Sequence, residues 1–141
     1  MSARPQDCTF AECSAAIGGA VFVDHGSTVD VRGCAFRENY ANLDGGAVAV
    51  RDHSALAAAG CLFWRNAAGR DGGALHVSNR STLELVGPVD DGGGGGGGGG
   101  ESAFVQNSAS AGSAVYIIDE SVMRADGGDG MALRFLSNAA R

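Results

Sequence analysis

Proline is almost missing from this chain, with two copies among 141 residues against 24 glycines. Basic residues are scarce as well. Ten stand against sixteen acids, for a net charge of −6, which argues against a nucleic-acid binder because phosphate recognition needs a basic face. No apolar run approaches the roughly 20 residues needed to cross a bilayer. The first ten residues, MSARPQDCTF, lack the apolar stretch of a signal peptide. Four cysteines are too few for a disulfide scaffold, and the cysteine pairs and histidine spacing of a zinc site are absent. The nine consecutive glycines, Gly92–Gly100, are not followed by the lysine of a phosphate-binding loop. What remains is an uncharged-leaning chain, 45% hydrophobic and 18% charged, of single-domain length and too apolar for a disordered segment.

Its strongest positive signal is self-similarity. F-x-x-N-x-A recurs as Phe36/Asn39/Ala41, Phe63/Asn66/Ala68, Phe104/Asn107/Ala109 and Phe135/Asn138/Ala140. An earlier copy begins at Phe10, with Cys13 in the Asn position. A second element follows each of the first four phenylalanines: GGAVFV at Gly18, GGAVAV at Gly45, GGALHV at Gly72 and GSAVYI at Gly112. Phe10 to Phe36 is 26 residues and Phe36 to Phe63 is 27, while the later intervals of 41 and 31 carry insertions. A period that tolerates insertions is the mark of a stack in which extra residues loop out.

Within a copy the pattern is short period-2 alternation. Val48 and Val50, then Leu56 and Ala58, then Cys61 and Phe63 alternate with their neighbours, which predicts three short strands per repeat and no amphipathic helix. Aligned copies give uniformly apolar columns, such as Val21/Val48/Leu75/Val115 and Val29/Leu56/Leu83/Met123, expected to point inward. Mixed columns, such as Phe22/Ala49/His76/Tyr116, are expected to face solvent. Strands stacked on like strands of the next turn make an all-β parallel β-helix of four to five turns, rising about 4.8 Å per turn.

The remaining columns then acquire reasons. Phe10, Phe36, Phe63, Phe104 and Phe135 form a core stack. Asn39, Asn66, Asn107 and Asn138 form an amide ladder, each donating to one neighbour and accepting from the other. Ser27, Ser54, Ser81 and Ser121 sit at a corner, where a hydroxyl can bond turn backbone. Cys8, Cys34 and Cys61 share an inward column. Their Cα spacing of about 4.8 Å is within disulfide range, but in-register parallel strands align the Cβ vectors poorly, so a stack of buried thiols is expected. Residues 1–7 read as a leader, residues 8–141 as the solenoid, and 88–101 as a flexible polyglycine insertion. The repeats begin and stop without room for the caps a solenoid needs, so a fragment, or a module that stacks on flanking repeats, is expected.

F-x-x-N joined to G-G-A-[VLI] at this spacing resembles the repeat of the polymorphic outer-membrane protein family, over about residues 8–87 and 102–140. The resemblance implies a right-handed β-helix within the pectin-lyase-like superfamily, in the surface-exposed or secreted part of a longer protein. Cys13 in place of Asn and Ser113 in place of the second Gly depart from the pattern.

Chemistry is sparse. Asp44 and Asp71 both precede Gly-Gly on adjacent turns. They suit a retaining glycosidase pair or a weak calcium site, or simply corner aspartates bonding local backbone. Glu12, Glu38 and Arg65 read as a solvated edge, Asp24 and Arg51 as a surface ion pair, and the three histidines as exposed and non-convergent. Two functions are carried forward. One is a non-catalytic structural or adhesive segment, with Trp64 as a contact for a protein or glycan at a cell surface. The other is a carbohydrate-active enzyme fragment using Asp44 and Asp71. No other cofactor is implied.

Overall fold

The computed structural model describes residues 1–86, 102–126 and 134–140. The expected polyglycine loop and the short insert near Gly127–Gly130 fall outside them. Every described element is a strand, and all pairing is parallel. The strands stack as a β-solenoid, a coil of about four turns in which each strand pairs with its counterpart roughly one repeat away. No helix of the described residues is long and apolar enough to cross a membrane.

Each coil carries four strands, where sequence periodicity predicts three. One sheet holds the phenylalanines, in Thr9–Ala11, Ala35–Arg37, Leu62–Trp64, Ala103–Val105 and Arg134–Leu136. A second, the GGA sheet, holds Val21–Val23, Val48–Val50, Leu75–Val77 and Val115–Ile117. A third, the long sheet, has five-residue strands at Thr28–Arg32, Ala55–Ala59, Thr82–Val86 and Val122–Asp126. The additional sheet is built from pairs such as Tyr40–Ala41 and Ala67–Ala68. Two residues are too short to show alternation, so only the ladder of bonds to neighbouring coils reveals them. Ser2–Ala3, inside the segment read as a leader, pairs with Thr28 and Val29 at the edge of the long sheet.

The register equals the column alignment. Phe63 lies between Phe36 and Phe104, and Leu75 between Val48 and Val115. Phe36, Phe63 and Phe104 have no solvent exposure, and successive rings lie 4.8 Å apart with planes within 4°. Phe10 and Phe135 extend the stack at 4.8 and 5.0 Å. Met123 and Phe135 hold inward columns yet are 41% and 48% exposed, because their strands pair on one side only among the described residues.

Beside the rings runs the amide ladder. The Nδ2 of Asn39 donates to Asn66 Oδ1 at 2.9 Å, and those of Asn66 and Asn107 donate to Asn107 and Asn138 at 3.0 Å. Each amide also donates to a backbone carbonyl of the neighbouring coil, Phe10, Phe36, Phe63 or Phe104, at 3.0 Å. Each Oδ1 accepts the backbone N–H of the adjoining asparagine, or of Cys13 at the first step. The serine column works between coils, with the N–H groups of Ser27, Ser54 and Ser81 donating to the hydroxyls of Ser54, Ser81 and Ser121. No buried side-chain polar atom among the described residues is left without a partner.

The corners are tight. Thirteen non-glycine residues among those described have positive φ, including Glu38, Arg65 and Gln106 just before the asparagines. The pairs Asp52–His53, Asn79–Arg80 and Asp119–Glu120 are left-handed twice in succession. Such residues cost on the order of 1 kcal/mol each and are held by the bonds between coils. At the Gly-Gly corner the two glycines serve different needs. Gly45 has φ +67°, and a Cβ on Gly46 would collide with the carbonyl oxygens of Gly73 and Ala67 in the next coil.

Candidate functional site

Asp44 and Asp71 are bridge partners on successive coils, and Asp71 pairs onward with Ala111. Both stand just before the Gly-Gly corner. After that corner the chain enters the GGA sheet, whose outward residues in register are Phe22, Ala49, His76 and Tyr116. The corner therefore brings the two carboxylates against the outward face of the next strand. One ligand-capable atom each of Asp44, Asp71 and His76 lies within 4.8 Å of the others. They line a cavity of about 280 Å³ together with Ala49, Arg70 and Tyr116.

Arg70 joins the group from the residue before Asp71. Its Nε donates to Asp44 Oδ1 at 2.8 Å, and its terminal nitrogen makes a very short contact with Oδ2. Asp71 lies 3.6 Å from the same Nε. Asp44 is buried, while the Arg70 side chain is 59% exposed. Asp44 and Asp71 approach within 4.8 Å, but Asp44 is engaged by a guanidinium. Arg70 was not legible as a site residue, since nothing in its local sequence sets it apart from Arg51 or Arg80.

His76 is the main correction to the sequence reading. Expected on a solvated face, it is only 9% exposed. Its ring stacks on Tyr116 at 5.6 Å, and Ala49, on the coil below, is also buried. The outward face of the GGA sheet is concave here, walled by the corner carboxylates and their arginine. Burial lowers the pKa of His76 below its ordinary 6.5, with Asp44 and Asp71 pulling it up and Arg70 pushing it down. The unfolded chain thus takes up the proton first as pH falls. This stability contribution is complete above pH 6.5 and is lost as pH drops through the lowered folded-state value. Thermal melts in chelator-treated buffer at about pH 7.5 and 5.5 should show wild type losing more stability than His76→Gln. Equal losses would contradict this.

The other candidates lie apart. Trp64 is half-buried on the Phe sheet, in register with Arg37 and Val105, and Arg65 sits 4.4 Å from its ring centroid. Arg51 pairs with Asp24 at 3.1 Å and lies 4.6 Å from the ring centroid of Phe22. Arg65 is 3.7 Å from Glu38, both half-exposed. His25 and His53 are exposed. All four cysteines are free thiols. Burial pushes Cys61 up to about 11 and also raises Cys34, which keeps them protonated and unreactive.

Fold and site define the class: a repeat-built parallel β-solenoid whose cross-coil side-chain ladders stabilise the stack. No family model, curated protein or solved structure matches the chain.

Proposed function

We propose that the chain is a non-catalytic structural or adhesive β-helix segment of a larger surface or secreted protein. The observation that carries this reading is the engagement of its outward charges between coils. Arg51 is paired with Asp24, Arg65 with Glu38, Arg70 with Asp44, and Arg80 with Glu120. Side chains committed to such pairs stiffen a stack rather than supply a free acid and base. The resemblance of the F-x-x-N and GGA repeats to the polymorphic outer-membrane protein family points to a surface-exposed parent and to flanking repeats. Trp64, half-buried with Arg37 and Val105 beside it, offers a rim on which a protein or glycan can dock, since partly exposed aromatics anchor such contacts.

The experiment is retention of cell-surface protein and glycan fractions on immobilised wild-type chain and on Trp64→Ala. Retention should fall by about tenfold or more in the variant; undiminished retention removes Trp64 from the account. A second reading, a carbohydrate-active enzyme, draws on the close approach of Asp44 and Asp71. Turnover of polygalacturonate or a related polymer, with or without calcium, that disappears in Asp44→Asn would replace the first reading with this one.

A further inference from the structure

Two carboxylates and an imidazole from two successive coils come within 4.8 Å of one another along the same cavity. Asp44 comes from one coil, Asp71 and His76 from the next. His76 is nine-tenths buried, forms no side-chain hydrogen bond among the described residues, and places a ring nitrogen within 4.8 Å of both carboxylates. An imidazole whose body is buried, whose unbonded nitrogens still open to solvent and whose neighbours within 4.8 Å are two acids is a ligand-shaped arrangement rather than a corner satisfied by local backbone.

We propose that Asp44, Asp71 and His76 bind one divalent transition-metal ion of the zinc class, which clips two neighbouring coils together. The donor set selects the ion. Calcium takes six to eight oxygens, whereas an imidazole nitrogen with two carboxylates suits zinc and its neighbours, with remaining positions filled by water. Donors around zinc lie about 3–3.5 Å apart, from bonds of about 2.1 Å, so the three groups, now within 4.8 Å of one another, need to close by up to about 1.5 Å. Arg70 is the counter-cation that holds the site in the absence of metal. Its side chain is 59% exposed, so it can swing into water when a stronger cation arrives. This inference goes beyond the proposed scaffold role, and it does not depend on Trp64 or on any partner.

Cobalt(II) is the probe, because its visible spectrum reports its ligands and four free thiols offer a competing site. The full chain should take up one cobalt ion with no thiolate charge-transfer band. Zinc should displace it, and calcium should not. His76→Gln and Asp44→Asn should each weaken binding by at least about tenfold. Arg70→Ala should tighten it, by up to about fivefold for loss of a competing ion pair. That opposite sign cannot come from misfolding, and circular dichroism of each variant checks the fold. No uptake by wild type, a thiolate band, unchanged affinity in His76→Gln, or weaker binding in Arg70→Ala would each overturn the proposal.

Discussion

Asn66→Ala should lower the stability of the solenoid by about 3–5 kcal/mol in urea denaturation, beyond the roughly 1 kcal/mol of a single hydrogen bond. Four bonds meet at this side chain. Its Nδ2 donates to Phe36 O and Asn107 Oδ1, and its Oδ1 accepts from the backbone N–H and Nδ2 of Asn39. Asn66 has no exposure, so water cannot take over those partners, and each orphaned group carries a desolvation penalty of about 1–3 kcal/mol. The total stays below the sum because Asn107 Oδ1 keeps the backbone N–H of residue 66 and the layers relax slightly. Asn138→Ala, at the half-exposed end of the ladder, should cost only about 1 kcal/mol. Equal effects at the two sites would mean that the ladder is not a buried network.

Phe63→Ala is the second large effect, expected at about 3–5 kcal/mol by the same assay. The ring is fully buried and stacked on both faces, against Phe36 and Phe104 at 4.8 Å. Its removal deletes the transfer term, leaves a cavity that rigid β-layers close poorly, and breaks two aromatic contacts of about 0.5–1.5 kcal/mol each. Phe135→Ala, at 48% exposure with one stacked neighbour, should lose about 1 kcal/mol. The double variant Phe63→Ala/Asn107→Ala should fall short of additivity, because Asn107 Nδ2 donates to the carbonyl of Phe63 and the two changes loosen the same layer. A Phe63→Ala loss below about 1 kcal/mol would place the ring outside the core.

Much of this architecture was legible from columns of like residues. In a parallel in-register stack, sequence alignment of the copies is the strand register. The alignment of Phe36 with Phe63, or Val48 with Leu75, therefore predicted the pairs found. The asparagine ladder was legible for the same reason, since an amide repeated at one inward position needs a partner that is both donor and acceptor. The fourth strand was not, because Ala67–Ala68 is shorter than any period. Nor were the left-handed corner residues, where Glu38, Arg65 and Gln106 share a conformation but no chemistry.

The candidate site shows where column reasoning stops. Columns say which residues lie over one another along the stack. They do not say which columns face each other across a corner. Asp44 and Asp71 were paired from sequence because they share a column, whereas His76 and Arg70 belong to different ones. Gly72, at φ +67°, folds the strand back so that residue 76 returns beside residue 71, and the arginine then closes the wall. That sharp reversal turned an expected exposed histidine into a buried one.

By itself, then, the amino-acid order determined the coil, its repeat length, its register and the residues at its axis. Those properties follow from one interaction recurring at fixed intervals, which a linear chain displays openly. Only the tertiary structure decided how the outward columns meet. Their contacts depend on corner angles of single residues, and a left-handed turn of a few atoms moves a side chain by several ångströms without leaving a trace in hydrophobic pattern.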